Sequence, residues 1–274
     1  MSLDGELADA IGAGLRGDHA DLVNVRRHSL PTFIIIGAPK AATTTLTTIL
    51  PRHPQFFIST PKEPKFFGRR YHKGWRWYSN MFHDGRFKPF RGEASTMYSS
   101  PNKSYQYTAA LMHKYLPELK LIYIVRDPLD RIESQWRHMK GWDPKTSDFG
   151  DLLRAPHGQR QLTIGCSLYF QNLQRFRAFF PDRQIHCISF EDLLASPEQT
   201  LASMLRFLGA VPNVKPLLED GKLPRVNVAG DKGRALIPKP QWPEELRRRV
   251  LQQIRPDALR MLAHMDKPAS HWQL

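Results

Sequence analysis

Three groups of residues in this chain have the types and spacing to do chemistry on an anion. The first is Lys40, followed by Ala41, Ala42 and the run Thr43-Thr44-Thr45. If a helix starts at these threonines, its first amides have no helical acceptor and its positive dipole end faces outward. Lysine charge, hydroxyls and amides together suit a phosphate. The second is Glu63, set between Lys62 and Lys65 in Thr60-Pro61-Lys62-Glu63-Pro64-Lys65. The two prolines stiffen that loop and fix the direction of the carboxylate. The neighbouring ammonium groups favour its ionised form, the form a general base needs. The third is Arg126 with Ser134, a guanidinium fork and a hydroxyl that can share one phosphate beside a helix start. Lys232-Gly233-Arg234 adds a basic, glycine-centred loop of the kind that closes over a nucleotide. His138 lies one turn beyond Ser134 on the same helical face.

These residues need a scaffold, and its elements are readable. Phe33 to Ile36 is a short apolar run, β-branched and aromatic, suited to a buried parallel strand. Gly37-Ala38-Pro39 breaks it, and Leu46, Ile49 and Leu50 then recur at helical spacing. Leu119 to Val125 is a second buried strand. It runs into Arg126-Asp127-Pro128, a strand-to-helix turn with Asp127 as the cap. In open parallel sheets, ligands bind where the strands end, so Arg126 points into that crevice. Gln184 to Phe190 reads as another core strand, and Phe56 to Ser59 as a further one. Trp75, Tyr78 and Phe82 read as the inward face of a helix. Trp142 to Gly158 reads as a loop-rich surface segment, Leu162 to Phe180 as including an aromatic, amphipathic helix (Leu168, Tyr169, Leu173, Phe176) that ends near Pro181, and Glu244 to His264 as a basic helix kinked or split at Pro256. Residues 1–29, small, polar and glycine-containing, read as a lead-in expected to be mobile, with room for one short helix. Residues 30–274 form a single α/β domain, a mostly parallel central sheet flanked by helices with a P-loop-like strand-loop-helix.

The chain has 274 residues and a formal charge of +14, with an isoelectric point near 10.0. Such a balance favours anionic partners without choosing among them. The apolar content of 41% argues for a folded globule and against a disordered chain. Cys166 and Cys187 are too few for a disulfide framework, which favours a reducing compartment. No cluster has metal-ligand spacing, so no metal is expected. No run approaches the ~20 apolar residues of a membrane span, and no secretory signal opens the chain. The triphosphatase pattern Gly-x4-Gly-Lys-Ser/Thr fails: counted from Gly37, positions 42 and 43 are Ala and Thr.

Taken together, the motifs resemble a family. Pro39-Lys40, then Thr43-Thr44, resembles the 5′-phosphosulfate loop of sulfotransferases that use 3′-phosphoadenosine-5′-phosphosulfate (PAPS), with Ala42 where that loop has glycine. Lys62-Glu63-Pro64-Lys65-Phe66-Phe67 resembles the Lys-Glu-Pro-x-Phe-Phe segment of the glycan type, the heparan sulfate enzymes and their bacterial relatives. Tyr71-His72-Lys73-Gly74 and Glu93-x-Ser95-x-x-Tyr98 resemble that group too. Arg126-Asp127-Pro128, then Arg131 and Ser134, resembles its 3′-phosphate site, and Lys232-Gly233-Arg234 its cofactor-covering loop. The resemblance implies a sulfotransferase. In it, Glu63 is the catalytic base, and Lys40 and residues 41–45 hold the 5′-phosphate. Arg126, Ser134 and Lys232–Arg234 hold the 3′-phosphate, and His138 lies near the acceptor. It implies PAPS as donor, with 3′,5′-phosphoadenosine (PAP) as product. The acceptor would be a glycan or small-metabolite hydroxyl or amine, not nucleic acid. Animal luminal members carry a disulfide hairpin before the Lys-Gly-Arg loop. No cysteine lies nearby here, which points to a bacterial cytoplasmic setting. A nucleotide-dependent phosphotransferase and a non-catalytic basic anion-binding module stand as the alternatives.

Overall fold

The computed structural model describes residues 3–18, 25, 29–155, 158–226 and 235–274. Five strands form one sheet: β1 (Phe33–Gly37), β2 (Phe56–Ile58), β3 (Phe90–Ala94), β4 (Lys120–Val125) and β5 (Ile185–Ser189). Their order is β2-β3-β1-β4-β5, and every pairing is parallel. β1 is buried along its whole length, as the apolar run requires. The chain first builds to one side of β1 and then crosses to β4 on the other. The crevice between the ends of β1 and β4 is therefore the topological switch point where ligands bind in such sheets.

The helices in chain order are α1 (Leu3–Arg16), α2 (Thr43–Ile49), α3 (Gly74–Asn80), α4 (Thr108–Tyr115), α5 (Pro128–Trp142) and α6 (Phe149–Arg154). They continue with α7 (Gln159–Gly165), α8 (Tyr169–Arg177), α9 (Phe190–Ala195), α10 (Pro197–Leu208) and α11 (Glu244–His264). The main core surrounds the sheet. A second apolar cluster joins Leu129, Ile132 and Trp136 of α5 to Phe149 and Leu152 of α6, Ile164 of α7, and Val250 and Ile254 of α11. α1 docks on this body: the Tyr115 hydroxyl donates to the Gly14 carbonyl. No helix among the described residues is long and apolar enough to cross a membrane.

Two expectations are corrected. Trp142 to Gly158 is not simply a surface loop. It contains α6, whose Phe149, Leu152 and Leu153 are buried. α11 is not split: one helix runs from Glu244 to His264 through Pro256, which is exposed. The helix read within Leu162 to Phe180 is present as α8, with Tyr169, Leu173 and Phe176 buried, and α7 ends before it at Gly165.

Candidate functional site

The loop after β1 starts with a close approach. A Cβ on Gly37, whose φ is +155°, would overlap Ser99 Oγ and lie 3.0 Å from the Thr96 carbonyl oxygen. Only glycine lets the strand end pack against residues 96–99. The Ala38 N–H is anchored to the Ile124 carbonyl on β4 at 2.6 Å. Ala42 is the residue before α2, with φ 63° and ψ 18°, and it provides no side-chain cap. The first helical bond runs from the Leu46 N–H to the Ala42 carbonyl. The amides of Thr43, Thr44 and Thr45 thus precede the helical ladder, and no acidic side chain stands in the first turn. This is an anion-seeking terminus, with half-buried Lys40 in the same loop.

The Glu63 loop is fastened to two neighbours. Its own N–H donates to the Ala94 carbonyl at 3.1 Å, at the end of β3. Thr96 Oγ1 donates to Glu63 Oε1 at 3.0 Å, and Lys65 Nζ lies 3.1 Å from Oε2. The Lys65 N–H donates to Ser95 Oγ at 2.9 Å. Lys62 instead reaches the phosphate-type loop, where its ammonium donates to Thr44 Oγ1 at 2.6 Å. Among the described residues, six non-glycines have φ in the left-handed region, and four of them are Lys40, Ala42, Glu63 and Lys65. Each such conformation costs on the order of 1–3 kcal/mol and persists only where surrounding bonds impose it. The strain therefore concentrates in these two loops, which the bonds just named hold in place.

Behind the Glu63 loop lies a second carboxylate. Glu93, on β3, is fully buried. Its Oε1 accepts from Tyr78 (3.0 Å) and Tyr98 (2.9 Å), and its Oε2 from Ser95 (2.6 Å). Burial pushes its pKa up to about 7, the three hydroxyl donors pull it down, and the charge of Glu63 adds a smaller upward push. Two of its donors also hold the Glu63 segment. Ser95 Oγ accepts the Lys65 N–H, and Tyr98 Oη accepts the Phe67 N–H at 3.2 Å. Trp75, Tyr78 and Phe82 point inward, as read from the sequence.

Arg126 follows β4. Its guanidinium lies over the Phe190 ring at 4.7 Å and reaches Asp130 at 3.4 Å. Its Nε is buried and has no hydrogen-bond partner among the described residues. Ser134 is half-buried on α5, four residues before His138, whose ring meets Trp142 edge-on at 6.3 Å. Arg131 is drawn inward: it is fully buried, with Nε donating to Ser167 Oγ at 2.6 Å and an Nη to the Thr163 carbonyl. It braces α7. Lys232, Gly233 and Arg234 lie outside the described residues. Sequence reading did not find the roles of Glu93, Ser95 and Thr96 in holding the Glu63 loop, nor that of Lys239, which bridges Asp130 (3.2 Å) and Glu133 (3.3 Å) on α5. The Glu-x-Ser spacing pointed to the first two of these, but their partners became visible only once β3 was placed.

Residues 30–220 match the family described as Sulfotransferase domain. The chain is 30% identical over 202 residues to the bifunctional heparan sulfate N-deacetylase/N-sulfotransferase 3 of Homo sapiens, which covers 67% of this chain and 23% of that protein. It is 30% identical over 186 residues to the heparan sulfate glucosamine 3-O-sulfotransferase 3B1 of Mus musculus, covering 66% and 46% respectively. The chain thus spans less than half the length of these relatives. A sulfotransferase crystal structure from Alicyclobacillus acidocaldarius shares the fold with a TM-score of 0.71 and 24% identity, over 91% of this chain and 100% of that one.

Proposed function

This chain belongs to the sulfotransferase domain family, and on that premise we propose that it transfers a sulfuryl group from PAPS to an acceptor hydroxyl or amine on a glycan or small metabolite. The carrying observation is the 2.6 Å bond from Lys62 to Thr44, which fastens the carboxylate loop to the first turn of the phosphate-type helix. A base and a leaving-group site then share one cleft.

The residues suit a nucleotide carrying two phosphate groups. Three amides and a lysine meet one anion at α2. The buried Arg126 Nε–H, without a partner among the described residues, and the half-buried Ser134 meet the other at β4. PAPS supplies the activated sulfuryl group. Glu63 accepts the acceptor's proton as its oxygen or nitrogen bonds to sulfur, while the bond from sulfur to the 5′-phosphate oxygen breaks. Lys40 and the amides of Thr43, Thr44 and Thr45 stabilise the charge that grows on that departing oxygen, whereas the Ala41 N–H is taken by the Ala38 carbonyl at 3.3 Å. Arg126, Ser134 and Lys232–Arg234 hold the 3′-phosphate, and His138 is assigned to the acceptor side. The heparan sulfate relatives favour sugar acceptors.

The test is transfer from labelled PAPS to a panel of glucosamine oligosaccharides and small hydroxyl compounds. Glu63→Gln should lower the rate roughly 10²- to 10⁴-fold while leaving PAP affinity within about twofold of wild type. A variant that transfers at the wild-type rate removes Glu63 from the role of base.

A further inference from the structure

The turn that carries Arg126 is held by residues to which sulfuryl transfer assigns no role. Asp127 is nearly buried and uses both carboxylate oxygens. Oδ1 caps α5, accepting from the amides of Leu129 (2.8 Å) and Asp130 (3.2 Å). Oδ2 accepts the backbone N–H of Gln273 at 2.7 Å, 146 residues away in sequence. The Asp127 N–H donates to Glu191 Oε1 at 2.8 Å. Glu191 Oε2 accepts from the Ser189 hydroxyl (2.7 Å) and from Trp272 Nε1 (3.0 Å). Ser189 Oγ and His271 Nε2 lie 2.8 Å apart. Trp272 anchors this segment. It is buried, and its ring rests on Tyr169 at 5.7 Å. A network of this kind, part-buried and largely satisfied, fixes a backbone more firmly than its separate bonds would.

We propose that Glu191 and the segment His271–Gln273 form a latch that positions the Arg126 turn for the 3′-phosphate of PAP and PAPS. This rests on the PAPS reading above. The latch residues are positioning residues that act through Asp127. The neighbouring Phe190 holds the Arg126 guanidinium from its face, while Glu191 and Gln273 fix the backbone from which that side chain springs. Without the latch, the turn would have to be ordered when the nucleotide binds, and that cost appears in affinity.

Position 273 allows a clean test. The Gln273 side chain is exposed. Trp272 has φ −123° and ψ 157°, the extended conformation required before proline. Gln273→Pro therefore deletes the N–H that Asp127 accepts, whereas Gln273→Ala keeps it. Calorimetric titration with PAP should show the proline variant binding roughly three- to tenfold more weakly and the alanine variant binding like wild type. In an Arg126→Ala background the proline substitution should change PAP affinity no further, because the latch acts through that arginine. Should Gln273→Pro fail to fold, Trp272→Phe keeps an aromatic, if smaller, ring, removes the Nε1 donor and is expected to weaken PAP in the same direction. A Gln273→Pro protein with lowered melting temperature but wild-type PAP affinity overturns the latch, as does an alanine variant as weak as the proline one. A wild type that binds no PAP overturns the cofactor reading and the latch with it. A wild type that binds PAP while no latch variant weakens it overturns the latch alone.

Discussion

Glu93 shows how single residues set this site. It stands on an inner strand with no cationic partner among the described residues, held by Tyr78, Tyr98 and Ser95. Burial is the largest cause of its shift from 4.5 to about 7. A carboxyl whose folded pKa lies above its unfolded one contributes stability that is complete below the unfolded value and lost as pH rises through the folded one. Between pH 4.5 and about 7, the wild type should therefore lose this contribution, and Glu93→Gln, which does not titrate there, should show a flatter profile. Urea midpoints for both proteins across that window check this. Parallel slopes would mean that Glu93 titrates alike in the folded and unfolded chains.

At the scale of elements, the loop into α2 carries a conformation its sequence does not favour. Ala42 sits in the left-handed region, where an L side chain costs about 1–2 kcal/mol. Ala42→Gly removes that strain but loosens the unfolded chain by roughly 0.5–1 kcal/mol. A net gain of up to about 1 kcal/mol is expected, read as a higher denaturation midpoint; a fall would show that the methyl group packs usefully. The elements themselves were unequally legible. β1 and β4 announced themselves as apolar runs because both of their faces are covered. β3 did not: Phe90–Ala94 contains Arg91, Gly92 and Glu93, and nothing local shows that such a stretch is central. Its polar groups are satisfied by distant partners, Arg91 Nε donating to the Leu30 carbonyl and Glu93 accepting from three hydroxyls. α6 was missed although Phe149, Leu152 and Leu153 have helical spacing, since six residues give too short a periodic signal. The Glu63 loop was legible as a motif, but its fastening to Thr44, Ser95 and Thr96 depends on chain segments that only the sheet brings together.

At the scale of the whole molecule, the formal charge of +14 suits a protein that attracts polyanionic nucleotides and acidic acceptors. The parallel sheet gathers the loops at the ends of β1, β3 and β4, so that Lys40, Glu63 with its supports, and Arg126 come from segments far apart in sequence. The central claim is that this cleft binds a nucleotide with a 3′-phosphate through Arg126 and needs no divalent metal to do so. The most direct test is calorimetric titration of wild type and Arg126→Ala with PAP in the presence of a chelator, and with ATP plus Mg²⁺. PAP should bind the wild type without metal and bind Arg126→Ala roughly tenfold or more weakly, the loss of a charge-assisted contact. Binding of ATP–Mg²⁺ but not PAP, or equal PAP affinity in the two proteins, would contradict it.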